Sequence, residues 1–240
     1  MAGHTVKAYD RELDALGRAI AEMGGLAVAM VADAVASLAG ADVDLALAVA
    51  ATGERVAQLK HRVESEAVLT IVRRSPVAVD LRNVVAAIRI AGDLGRIAAH
   101  AEKIASQTVK IGFAPRVPRA IVGVRHMGAL AIDLAQSALD AYAERDVELA
   151  RAIWERDADL DSLEGSVFSD LLSEMLADPR AISFCARIMT VSKNFERIGD
   201  HATNIAETVL YLVTGVATTD ERPRGRGTAS IDPAGDAGDF

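Results

Sequence analysis

Two carboxylates, Glu196 and Asp200, stand four residues apart in the segment NFERIGDHATNIAE. That spacing puts them on one face of a helix. Asn204 follows four residues later and Glu207 three beyond that, so a row of oxygen donors shares one stripe. The earlier segment WERDADLDSLE carries a second pair, Asp157 and Asp161, at the same spacing. If the two helices face each other, the pairs converge. Oxygen-only clusters suit hard cations such as magnesium, calcium, manganese or iron. The expected metal ligands are therefore Asp157, Asp161, Glu196 and Asp200, with Asn204 as a further donor. A solvated acidic face is the competing reading, since like charges at this spacing oppose a helix only mildly and Arg197 can neutralise Glu196 locally.

The elements that carry these residues occur twice. MGGLAVAMVADAV begins at Met23 and MGALAIDLAQSAL at Met127, an offset of 127 − 23 = 104. DVDLALAV from Asp42 answers DVELARAI from Asp146 at the same offset. RIAAHAEKIA from Arg96 answers RIGDHATNIA from Arg197 at 197 − 96 = 101, so about one helical turn is lost in between. A repeat of this kind means two similar helical units. The first unit lacks every candidate ligand: Gly53, Ala57, Gly95 and Ala99 stand where the second has Asp157, Asp161, Glu196 and Asp200. A metal cluster is expected on the second unit only. Asp93, His100 and Glu102, the nearest polar groups left in the first, look too scattered for a matching site. His100 and His201 match each other and read as surface or bundle-lining residues.

Apolar residues recur at helical spacing along nearly the whole chain, as in Leu13, Leu16, Ile20, Met23, Ala27, Met30, Ala34 and Leu38. Gly40 ends that helix and Asp42 can cap a short one to about Ala51, followed by another from Gly53 to Val72. Ser75-Pro76 and Asp178-Pro179 read as N-cap and first helical residue of two long helices, Val77 to Ile111 and Arg180 to about Val213. The second unit begins near Arg119 and bends at Glu144-Arg145. No strand pattern is present. Each unit is then three long helices, one broken near its middle, with antiparallel neighbours. The fold class is all-α: two tandem pseudo-repeated three-helix bundles, residues 1–112 and 113–214. Residues 215–240, rich in Gly, Asp, Arg and Thr, are expected to be disordered.

Composition supports this. Hydrophobic residues make up 51% and aromatics only 4%, so the core is built from small aliphatic side chains. A net charge of −8 argues against a nucleic-acid partner. The single cysteine, Cys185, excludes an intrachain disulfide and reads as a buried structural thiol. The N-terminus lacks a signal-peptide core, and the longest apolar run, Met23 to Ala32, is too short to span a bilayer. A cytoplasmic protein is expected. Neither E-x-x-H nor a phosphate-cradling glycine loop occurs. Arg82, Arg89 and Arg96 step by seven along one stripe, which reads as a solvated face or a contact for an anion or acidic partner.

FERIGDHATNIAE closely resembles the E-R-I-G-D signature of the PhoU family of phosphate-uptake and phosphate-signalling regulators. RRSPVAVDLRNVVAAIRIAGDL resembles the stretch leading into that family's first signature. The resemblance runs from about Lys7 to Gly215, and the twofold repeat of three-helix units is the family architecture. It implies a cytoplasmic homodimer without catalytic activity, associated with the membrane only through its partners. Those partners are a phosphate ABC transporter ATPase and a phosphate-sensing histidine kinase, and the response is repressed when phosphate is plentiful. It also implies a divalent or trivalent cation cluster (iron, manganese, magnesium or zinc) held by E/D-x-x-x-D motifs, which fall here on Glu196-Asp200 and Asp157-Asp161. The departures at Gly53, Ala57, Gly95 and Ala99 put a first-unit cluster in doubt. The alternatives are a two-metal phosphoester hydrolase on the same carboxylates, for which no base or enclosing loop is evident, and a structural helical scaffold.

Overall fold

A computed structural model describes residues 2–112 and 117–216. It contains six long helices: α1 (Ala2–Gly40), α2 (Val43–Arg74), α3 (Ala78–Ile111), α4 (Pro118–Glu144), α5 (Val147–Ala177) and α6 (Ile182–Thr214). Among the described residues there is no strand. Helices α1, α2 and α3 pack on one another, as do α4, α5 and α6, and the two units join through α1 against α4 and α3 against α6.

The turns inside each unit follow from local chemistry. Ala41 (φ 59°) and Arg145 (φ 58°) take the left-handed conformation that stops α1 and α4. The next residue in each case is an aspartate that caps the following helix. Asp42 Oδ1 accepts from the Leu45 N–H at 2.9 Å. Asp146 Oδ1 accepts from Glu148 at 2.9 Å and Leu149 at 3.0 Å. Each such cap stabilises its helix by about 1 kcal/mol.

Two sequence expectations fail here. The helix after Asp42 does not end near Ala51, because α2 runs unbroken through Gly53. Thr52 Oγ1 bonds back to the Ala48 carbonyl within the helix. Gly53 is buried, and a Cβ there would collide with the Glu102 carboxylate of α3. This glycine serves a close approach between helices. Ser75, moreover, does not cap α3. It closes α2 in the left-handed conformation (φ 45°) with its N–H on the Ile71 carbonyl, and Val77 opens α3 without a side-chain cap. Asp178 caps only a 3-10 turn, Pro179–Ala181, with its side chain accepting from the Arg180 N–H at 3.0 Å; α6 itself opens after Ala181 without a side-chain cap. The expected disorder of the tail falls on residues 217–240, which lie outside the described residues.

The core is a continuous aliphatic cluster. Leu16, Ile20, Met23, Ala27, Met30, Ala34 and Leu38 bury the inner face of α1. By length and composition, Arg11–Gly40 is apolar enough to cross a membrane. Its apolar face is the one packed into this cluster. The joint between units is pseudo-twofold. Gly24 of α1 receives Leu139 of α4, while Gly128 of α4 receives Val35 of α1. Both glycines and both branched residues match at the 104 offset (128 − 24; 139 − 35). The absence of a side chain lets the helices approach so closely that a Cβ on Gly24 would come within 2.6 Å of Leu139 Cδ2.

Candidate functional site

The candidate ligands lie on two helices that pack together, α5 and α6. Gly199 makes this possible, because a Cβ there would stand 2.5 Å from Asp157 Oδ1. Asp157, Asp161, Glu196, Asp200 and Asn204 are all half-buried. Two cations sit among them. Lys193 Nζ pairs with Glu196 Oε2, and Arg197 Nη1 lies 3.5 Å from Asp200 Oδ2. Glu164 belongs to the same groove. Burial raises its pKa, Lys193 pulls it down, and Glu196 and Asp161 push it up. The sequence reading passed over Glu164 and Lys193. Both stood three residues from a candidate ligand on the same stripe, which was the available signal.

The donor chemistry suits a hard cation: carboxylates and one amide, without thiolate or imidazole. The geometry is less complete. Among the described residues no three acidic, histidine or cysteine groups converge closely enough to hold a metal ion. Cation loading would exchange the Lys193–Glu196 and Arg197–Asp200 pairs for metal contacts.

In the matching groove of the first unit, between α2 and α3, an open cavity of about 450 Å³ is lined by Gly53, Ala57, Gly95, Ala99, Lys60, His61, Arg96 and Glu102, among others. Two long side chains reach across it where the opposite helix offers a glycine. Glu102 lies over Gly53, and Lys60 Cδ would stand 3.2 Å from a Cβ on Gly95. Burial, then the neighbouring charge of Glu54, raises the Glu102 pKa.

Between the grooves runs the α3/α6 seam. Asp93 Oδ1 accepts from His201 Nδ1 at 2.9 Å and from Asn204 Nδ2 at 3.3 Å. His100 Nδ1 and Asn194 Oδ1 are 2.8 Å apart. The Asn194 amide nitrogen already donates to the Thr190 carbonyl at 2.6 Å, so its oxygen accepts and His100 carries the proton on Nδ1. The pairs are counterparts at one offset (201 − 100; 194 − 93), and the histidine rings are 5.7 Å apart. Burial lowers the His100 pKa. The Asn194 hydrogen bond opposes this, while Lys103, His201 and Arg197 reinforce it. The histidines line the bundle as expected, and Asp93, His100 and Glu102 serve three separate contacts. The arginine stripe is exposed at Arg89 and Arg96, as a solvated face requires, and half-buried at Arg82. The exposed Arg89 lies over the Tyr211 ring at 5.4 Å, and Arg82 lies near Gly215. Cys185 is buried, and burial raises its pKa.

Comparison with known proteins accords with this architecture. The family model described as the PhoU domain matches twice, over residues 20–108 and 124–209. A phosphate-specific transport system accessory protein PhoU homolog of Rhizobium meliloti (strain 1021) is 40% identical over 229 residues, covering 95% of this chain and 96% of the relative. The homolog of Caulobacter vibrioides (strain NA1000 / CB15N) is 39% identical over 224 residues, covering 93% and 97%. The crystal structure of PhoU from Pseudomonas aeruginosa superposes with a TM-score of 0.84 at 36% identity, covering 87% of this chain and 100% of that one. The phosphate transport system regulatory protein PhoU from Streptococcus pneumoniae shares the fold, with a TM-score of 0.81 at 21% identity over 88% and 99% of the two chains.

Proposed function

The chain belongs to the PhoU family, and from that premise we propose that it regulates phosphate transport as an accessory protein of the phosphate-specific transport system. The observation that carries this reading is the match over nearly the full length of both partners in the comparison, with both repeats present. In the finer form of the proposal, a cytoplasmic homodimer without catalytic activity stands between the ATPase of a phosphate ABC transporter and a phosphate-sensing histidine kinase. It represses the starvation response when phosphate is plentiful. Long helices with exposed faces supply docking surfaces for such partners. Regulation then requires different affinities for two partner states, because equal affinity shifts nothing. The test is alkaline phosphatase activity at high phosphate in the source bacterium with the gene deleted. Constitutive activity, repressed again by the wild-type gene, is the expected result. Normal repression overturns the reading.

A cation on the second unit is part of the proposal. Asp157, Asp161, Glu196 and Asp200, with Asn204, would hold it. A bound cation would neutralise the carboxylate repulsion and tie α5 to α6. Titration of chelator-washed protein with manganese, followed by metal analysis after desalting, should give retained metal. Glu196→Gln with Asp200→Asn should abolish retention. A wild-type chain that retains none removes the cation from the proposal and leaves the regulatory reading standing.

A further inference from the structure

We propose that the α2/α3 groove of the first unit binds a protonated oxyanion of the phosphate class, with Lys60 and Arg96 donating to its charged oxygens and Glu102 accepting from its hydroxyl.

The argument begins with what the repeat changed. Arg96 and Arg197 are counterparts, but Arg197 has Asp200 beside it and Arg96 has Ala99. Among the described residues Arg96 makes no ion pair or hydrogen bond. Lys60 stands where the second unit has Glu164 (164 − 60 = 104), a reversal of charge in the same groove. Its one ion pair among the described residues, to Glu64 Oε1, is long at 3.7 Å. Glycine or alanine at positions 53, 57, 95 and 99 leaves the floor open. The groove thus offers two cations around a cavity large enough for a small anion.

Glu102 decides which anion. Its carboxylate lines the same cavity and, among the described residues, accepts no hydrogen bond. A bare carboxylate repels an oxyanion that carries no proton. It welcomes one that does, because a P–OH group donates to it and a carboxylate can only accept when ionised. Inorganic phosphate keeps at least one hydroxyl at neutral pH. Sulfate has none, and a phosphate monoester, whose second ionisation lies near pH ~6, has mostly lost its own. The site should therefore select inorganic phosphate over both. The burial-raised pKa of Glu102 agrees with a half-buried charge in want of a donor.

The inference goes beyond the regulatory proposal and stands without it, since the assay is direct binding. Isothermal titration calorimetry of the full chain, washed with chelator, uses inorganic phosphate, sulfate and glycerol 3-phosphate at pH 7 in low salt. Saturable phosphate binding at one site per chain is expected, with the other two weaker by about tenfold or more. Lys60→Gln and Arg96→Gln should each weaken phosphate by about tenfold with unchanged thermal melting, while Arg197→Gln in the other unit leaves it intact. Glu102→Gln should erase the preference for phosphate over sulfate. Absence of saturable phosphate binding, or binding indifferent to Lys60→Gln and Arg96→Gln, overturns the proposal. So does equal affinity for sulfate in the unaltered chain.

Discussion

The two grooves of this molecule share a frame and differ in charge. In each, two antiparallel helices are brought close by a glycine on one that receives a carboxylate from the other. In the first unit Gly53 of α2 receives Glu102 of α3, and in the second Gly199 of α6 receives Asp157 of α5. The polarity of the contact is swapped between the units. Around it, the second groove collects Asp157, Asp161, Glu164, Glu196 and Asp200 with Lys193 and Arg197 as internal counterions. The first keeps Lys60, His61 and Arg96 against Glu102. The lesson is that the apolar faces fix the helix packing, so the solvent-side stripe is free to diverge. One backbone arrangement can then carry grooves of opposite charge.

The shared frame should be easiest to break at the joint between units. Gly128→Val drives a branched side chain into Val35 and towards Phe195, whose Cζ is already 3.3 Å from the position of a Cβ. A loss of about 3 kcal/mol or more is expected in urea unfolding. Gly24→Val, its counterpart, meets the Leu139 side chain first and should cost less, roughly 1–2 kcal/mol. Equal costs would mean that the two halves of the joint are interchangeable and that Phe195 is not part of it.

Charge in the grooves can be read from pH. Glu102 and Glu164 both have raised pKa values in the folded chain, mainly through burial. The native state therefore binds protons more tightly than the unfolded state. These two groups make stability rise as pH falls through their raised values towards the ordinary carboxylate value, and the gain is fully present below that. Glu102→Gln and Glu164→Gln should each flatten that part of a stability–pH curve measured by urea midpoint. At neutral pH each should be neutral or slightly stabilising. A curve unchanged by either substitution would count against burial as the source of the shifts.

The smallest effect concerns the caps. Asp146 accepts from two N–H groups and Asp42 from one. Asp146→Ala should cost about 1–2 kcal/mol, and Asp42→Ala about 1 kcal/mol or less. Thermal melts of the two variants give the order directly, and the reverse order would show that cap strength is set elsewhere.

Much of this was legible in the chain itself. The 104 and 101 offsets exposed two units, and apolar spacing located the buried face of α1 residue by residue. The carboxylate rows on α5 and α6 were visible because helical spacing is a local property. What escaped notice depends on residues distant in sequence. Gly53 reads locally as the start of a new helix after a break near Ala51, and only the Glu102 carboxylate crossing from α3 reveals why a glycine is there. Ser75-Pro76 and Asp178-Pro179 are alike as dipeptides. Yet the serine turns left-handed to close α2, while the aspartate offers its carboxylate to the 3-10 turn that leads into α6. The equivalence of His100 and His201 was plain, but their partners, Asn194 and Asp93, lie across a helix pair that no local pattern announces.

The seam pairs residue 100 with 194 and residue 93 with 201, so α3 and α6 run in opposite directions. The turn at Ser75–Val77 therefore lies at one end of the molecule and the turn at Asp178–Ala181 at the other. Exposed Val72, Val77 and Val79 mark the first end, and exposed Leu172, Leu176 and Ile182 the second. At 34 residues, α3 measures about 50 Å. Two bodies seated on the two ends would be held apart by roughly that distance. A change carried from one end to the other through this chain would have to travel the length of its packed helices.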